Sequence, residues 1–249
     1  MAGLWASLPF DYLVKVSGAT KVNIELTRSF PTPLTHPLVT PLLVRTLRLN
    51  CLTRDYAPRW EELFDPLWLA DRWAATEACR LRVQDVEPTW SMATPLRTEY
   101  DRRMALVEID AIVAVMLGLT AEQLCAIYRS QFGVLRKYEW EMFFAADGHK
   151  IGAATHNVGI RQTPEETFFV KAWVKAARAG DLAPDMPEGW VKPDREAEMA
   201  RAHADFTGRL LAGEYGDYAA YGAEHGDHGN LLGGAETELA PSDVPVESR

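Results

Sequence analysis

Cysteine is scarce in this chain. Cys51, Cys79 and Cys125 are the whole set in 249 residues, with no C-x-x-C pair among them. That argues against a disulfide framework or a structural zinc site and suits a reducing cytoplasm. Long apolar runs are missing too. None approaches the ~20 residues that span a bilayer. No basic start followed by an apolar stretch marks a secretory signal, so neither membrane nor export is expected. Positive charge is in deficit, at a net −9. A strongly acidic chain is a poor free-standing DNA binder, because phosphate contacts supply most non-specific affinity. The deficit is uneven. Residues 1–60 carry seven Lys/Arg against three Asp/Glu, whereas residues 163–249 carry eight against seventeen. Only the front has the sign for DNA; the acidic back suits solubility or a protein-facing surface.

What is present is ordinary globular composition, with length for one large or two small domains. Lys21-Val22-Asn23-Ile24-Glu25-Leu26 alternates apolar and polar residues, the period of a half-buried strand, and Pro31 and Pro33 then end pairing. Such a strand needs a partner sheet. Helices are expected over 37–53, 55–64 with Asp55 as cap, and 67–73. The strongest runs from Thr94, with Pro95 in its first turn, to Leu117 before Gly118. Its second half is apolar almost all round, so it should be buried and central. Thr120-x-x-Gln123 is a capping box for the next helix, and a third should cover 134–146. An extended piece at 149–153 follows. Further helices are expected from Pro164 to Ala179, closed by Gly180, and over 194–212. Residues 222–249 are Gly-rich and poor in large apolar groups, a disordered acidic tail. The expected class is α+β, mostly α. A short β-containing segment (1–35) docks on a helical bundle (36–162), followed by C-terminal helices (163–221).

Several idiosyncratic words occur in order. They are Leu8-Pro9-Phe10-Asp11-Tyr12, the Lys21–Pro33 segment, Arg48-Leu49-Asn50-Cys51-Leu52-Thr53, Tyr56-Ala57 and Trp60-Glu61-Glu62-Leu63. Arg102-Arg103, Glu108-Ile109-Asp110-Ala111, Gly118-Leu119, Ile127–Phe132 and Leu135–Glu139 continue the series. Together, over about residues 8–140, they resemble the C-terminal region of large N6-adenine DNA methyltransferases. These are the type IIG enzymes of restriction-modification and the related methylases of phage-defence systems such as DISARM. In that family the Lys21–Pro33 stretch closes the target-recognition part. The chain departs from the family decisively. It has no Asn-Pro-Pro-Tyr/Phe motif to hold the flipped adenine, and no Gly-rich strand–turn to bind S-adenosylmethionine. The resemblance therefore implies a C-terminal piece of a split methylase or a separately encoded accessory subunit. S-adenosylmethionine would belong to the catalytic partner, and no cofactor to this chain.

On the residues alone, Lys15, Lys21, Arg28, Arg45, Arg48 and Arg54 form a basic front that could meet phosphates, with Asn23 available to base edges. The competing reading is a solvated strand edge and helix face. The resemblance favours double-stranded DNA. Glu108 and Asp110, two apart, do not share a helix face. A buried Glu108 is expected to pair with Arg102, Arg103 or Arg129, which makes these structural ion pairs rather than catalysts. Tyr128-Arg129-Ser130-Gln131 reads as packing before clamping. His149 and His156 have no obvious acid partner. His225, Asp227 and His228 have ligand types but nothing to orient them, so no metal is expected. Cys125 belongs to a core face. No catalytic residue is expected. The leading expectation is a non-catalytic DNA-recognition or accessory subunit, working with a catalytic methyltransferase chain or other defence subunits. The alternative is a protein–protein interaction module that never touches DNA.

Overall fold

A computed structural model describes residues 1–19, 21–74, 82–153, 158, 161–216, 218 and 220–221. Cys79, His156, and the 222–249 tail with His225, Asp227 and His228 lie outside the described residues. Within them the chain is mostly helical with one small two-stranded sheet, the class expected. Among the described residues no helix is long and apolar enough to cross a membrane.

The middle of the molecule is α6 (Glu99–Met116), of which only Glu99, Arg102 and Leu106 escape full burial. It begins later than the sequence suggested. Thr98 is the cap, accepting from the Asp101 amide, while Thr94 is buried and takes the Ser91 amide to close a turn. Two helices flank α6: α4 (Val39–Asn50) and α10 (Arg195–Leu211), the latter capped by Asp194. α7 (Ala121–Gln131) opens on the Thr120–Gln123 capping box and leans on both α6 and α10.

The N-terminal segment is helical, which corrects the expected β-containing segment. It forms α1 (Ala2–Trp5), α2 (Leu8–Val16) and α3 (Ile24–Ser29). The alternating run at 21–26 is no strand. Asn23 Oδ1 accepts the Leu26 amide at 2.8 Å and Glu25 sits in the first turn, so a local cap starts a helix. Val22 and Ile24 are consequently 54% and 63% exposed, not the buried side of a sheet. Leu4, Phe10 and Phe30 instead seat this segment on Leu42, Ile109 and Phe206. α1 approaches α4 closely enough that a Cβ on Gly3 would stand 2.3 Å from Thr46 Oγ1.

After α4, Arg54–Tyr56 forms a 3-10 turn, α5 covers Ala57–Leu63, and Pro66–Ala70 is a second 3-10 turn where an α-helix was expected. Trp60 and Trp68 fill a separate apolar cluster there, with Val44, Leu47 and Val83. The expected helix over 134–146 also divides. α8 (Gly133–Trp140) stops, and Met142–Phe144 becomes β1, antiparallel to β2 (Lys150–Gly152). Strand alternation gives this stretch a better use of its aromatics. Phe143 faces the cluster with Ile151 and Val170, while Phe144 enters the one with Tyr100 and Met199. Gly148, at φ +83°, makes the turn. α9 (Pro164–Ala179) keeps the expected bounds and closes on a left-handed Gly180, and a Thr163–Glu166 capping box, which was not anticipated, opens it.

Candidate nucleic-acid interface

Two of the four carboxylates of α6, Glu108 and Asp110, organise the interior. Residues two apart on a helix point about 200° from one another, so Glu108 and Asp110 face different neighbours. Glu108 Oε2 meets Arg45 Nε of α4 at 2.6 Å, and its other oxygen accepts the Ala74 amide at 2.7 Å. Arg45 also reaches Asp71 at 2.5 Å, and Arg209 of α10 holds the second Asp71 oxygen at 2.8 Å. Burial pushes the Glu108 carboxyl up, and Arg45 offsets only part of that. Burial acts on Asp71 in the same sense, but Arg45 and Arg209 outweigh it and hold that carboxyl below the usual range.

Asp110 belongs to a second cluster. Arg195 bridges Asp110 and Glu139 at 2.7 Å each. Arg103 joins Glu139 at 3.2 Å and Glu198 at 2.6 Å, and the Tyr128 hydroxyl donates to Glu139 at 3.0 Å. Asp110 Oδ1 accepts the Leu8 amide at 2.7 Å. Each carboxylate here faces a guanidinium, an arrangement suited to fixing helices rather than to moving protons.

This corrects the expected pairings. Glu108 takes Arg45, not Arg102, Arg103 or Arg129. Arg102 donates to the Leu49 and Leu96 carbonyls, and Arg129 pairs with Glu196 at the surface, 3.2 Å away. The basic front divides as well. Arg45 and Arg48 are fully buried, so neither offers an atom to a phosphate. Arg48 donates to the carbonyls of Thr94, Arg82 and Val83, tying the 82–94 loop to α4. Burial lowers its pKa to about 10. A buried arginine and an exposed one look alike in sequence, because an amphipathic stripe shows which side is apolar but not which polar side another element will cover.

Lys15, Lys21, Asn23 and Arg28 remain at the surface. Lys15 pairs with Asp11 at 2.9 Å and its ammonium lies 3.5 Å from the centre of the Phe132 ring. Asn23 Oδ1 is committed to the α3 cap. Of the six cations of the basic front, Lys21 and Arg28 at the two ends of α3, Lys15 beside α7 and Arg54 in the turn after α4 are therefore the exposed ones.

A second basic region was not anticipated. Two grooves adjoin the end of α8. One, of about 580 Å³, is lined by Arg136, Lys137, Trp140 and Lys192 together with Glu139, Asp194 and Glu196. The other, of about 480 Å³, is lined by Lys171, Lys175 and Arg178 of α9 with Glu141. Arg178 pairs with Glu141 at 2.5 Å and lies 5.3 Å from the centre of the Trp140 ring. Lys192 donates to the carbonyls of Glu139, Trp140 and Met142, fixing the end of α8. The available signal was the i, i+4, i+7 spacing of Lys171, Lys175 and Arg178, masked by the acidic total of residues 163–249.

His149, expected to lack an acid partner, has two. Nδ1 is 2.5 Å from Asp147 and Nε2 is 3.1 Å from Glu166, fastening the hairpin turn to the start of α9. Cys125 lies in the core with Leu124 and Tyr128, as expected. Among the described residues no group of His, Cys, Asp and Glu could hold a metal ion. No family model matches this chain, and no match is found to a curated protein or to a solved structure.

Proposed function

We propose that this chain is a non-catalytic DNA-recognition or accessory piece of an adenine-specific DNA methyltransferase of restriction-modification or phage defence. A separate chain would supply the S-adenosylmethionine site and the adenine pocket. One observation carries the reading. The residues that resemble the methylase family, Arg103, Asp110, Tyr128 and Glu139, meet around Arg195 in one buried ion cluster although they come from four separate words of sequence. The resemblance thus lies in framework side chains, as suits a part that positions rather than reacts. Lys21 and Arg28, with Lys15 nearby, give this part a cationic face of the sign a duplex requires.

The test is co-purification of the tagged chain from its host, with the eluate assayed for adenine methylation of duplex DNA. A co-eluting Asn-Pro-Pro-Tyr/Phe methylase is expected, with activity lost on removing this chain. Charge reversal at Lys15, Lys21 and Arg28 should weaken DNA retention. A lone, monodisperse protein without DNA retention counts against the proposal.

A second reading rests on Val22 and Ile24, apolar side chains exposed on the same segment. In an interaction module these would seat a partner protein. Val22→Asp with Ile24→Asp would then abolish co-purification while charge reversal left it intact.

A further inference from the structure

We propose that the saddle around Trp140, where α8 meets α9, binds single-stranded nucleic acid through its backbone phosphates and an unstacked base. This rests on the functional reading above only in taking nucleic acid as the partner; the surface and the form of nucleic acid are different.

The saddle concentrates positive charge in a chain of net −9. Arg136 and Lys137 stand exposed on one side of Trp140, and Lys171 and Lys175 stand exposed on the other. The acids within reach are largely spent. Glu139 is buried between Arg103 and Arg195, Glu141 is paired with Arg178, Glu196 with Arg129, and Asp194 caps α10. Lys171 and Lys175 stand about 6 Å apart in a row along α9, and Arg178, less than a turn further on, is held by Glu141. A flexible single strand can bring successive phosphates to such a row, whereas a rigid duplex cannot sink into two shallow grooves.

The aromatic part singles out an unpaired strand. Trp140, in the lining of the first groove, is 39% exposed. Trp140 meets Trp173 edge to face at 6.1 Å, the Arg178 guanidinium lies 5.3 Å from its ring centre, and Lys192 fixes its backbone. A half-exposed indole anchored within a cationic groove is a stacking platform for any base, the combination by which sequence-tolerant single-strand binders work. Duplex DNA keeps its bases stacked on one another and would leave Trp140 unused.

The experiment is fluorescence anisotropy of labelled oligothymidine and of a labelled duplex with the full chain, at two salt concentrations. Four proteins are compared: wild type, Lys171→Glu with Lys175→Glu, Trp140→Ala, and Lys21→Glu with Arg28→Glu. Wild type should bind oligothymidine more tightly than duplex. The α9 double reversal should weaken that binding at least tenfold and flatten its salt dependence by about 1.4 in log–log slope, for two lost phosphate contacts on a single strand. Trp140→Ala should weaken it with the salt slope unchanged. Thermal melting identifies a variant that fails to fold, and the exposed α9 lysines supply the pair least exposed to that objection. If wild type binds no oligothymidine, or if only the Lys21/Arg28 variant loses binding, the saddle proposal is overturned while a duplex-reading role through α3 survives. If oligothymidine binding depends on the saddle but no methylase co-purifies, the saddle stands and the methylase-subunit reading fails.

Discussion

Asp110 accepts the backbone amide of Leu8 at 2.7 Å across 102 residues of sequence. The same carboxylate takes Arg195 on its other oxygen. One side chain of the central helix therefore joins the start of α2 to α10. Asp110→Asn keeps an acceptor for Leu8 and removes the charge opposite Arg195. Breaking a buried pair by removing one partner costs about 3–5 kcal/mol. Urea unfolding should show a loss in that range, and a loss under about 1 kcal/mol would mean the pair contributes little.

Arg45 makes a sharper case, because its interior position separates stability from binding. Arg45→Met should lower stability by about 3–5 kcal/mol, since Glu108 and Asp71 would keep buried charge without their main partner. Adding Glu108→Gln should recover part of the loss, and the double-mutant cycle measures the coupling. DNA retention per folded molecule should be unchanged in both variants. A retention defect in a folded Arg45→Met protein would put this arginine back on the binding surface.

Acid sensitivity follows from two buried histidines. His36 accepts the Leu38 amide on Nδ1, and burial lowers its pKa to about 4. His203 sits 2.7 Å from the Leu119 carbonyl and is lowered for the same reason. Both folded pKa values lie below that of the unfolded chain, so their stabilisation is complete above about pH 6.5 and falls as the solution is acidified. For His36 the slope is about 1.4 kcal/mol per pH unit, sustained down to about pH 4. His149 shifts the other way. Burial lowers it, but Asp147 and Glu166 outweigh that, so its contribution is fully present below pH 6.5 and lost as pH rises through its folded pKa. It cannot mask the acid loss. Thermal melts between pH 6.5 and pH 5 should show falling stability, with a shallower fall in His36→Asn. A flat profile in the wild type would contradict this assignment.

Lys192 offers a local prediction. Its ammonium is shared among three carbonyls at the end of α8. Lys192→Met removes the donor to all three, of which the Glu139 and Met142 carbonyls are part-buried and the Trp140 carbonyl is exposed, so the loss should be about 1 kcal/mol for each of the first two. Hydrogen exchange should quicken at 140–144 and in the paired strand before the rest of the molecule responds. Unchanged exchange there would show that water replaces the lysine without penalty.

The elements that could be read in the sequence were those with a self-contained signal. The Thr120–Gln123 box and the closing Gly180 each satisfy a helix end within a few residues and are found where expected, and the helices expected from Pro164 and from Asp194 begin at Pro164 and Arg195. The 21–26 run failed because alternation and an asparagine cap overlap, and only the presence or absence of a partner strand decides between them. The 134–146 stretch failed because its end is set by Lys192 and Val191, some fifty residues on. The candidate site was half legible for the same reason. Exposed Lys21 and Arg28 follow from local pattern. The burial of Arg45 depends on Asp71, Glu108 and α10, none of which its own helix reveals.

The cluster holding Asp110 has an order of assembly written into it. Leu8 leaves the ribosome long before Asp110, and Arg195 comes later still, so during synthesis the early helices wait for both the carboxylate and its counterion. Until α10 emerges, Asp110 and Glu139 would lack the guanidinium that bridges them and would repel one another if brought together. A nascent chain stalled before residue 195 should therefore dock α1 and α2 on α4, α6 and α7 while leaving Asp110 and Glu139 without the guanidinium that joins them.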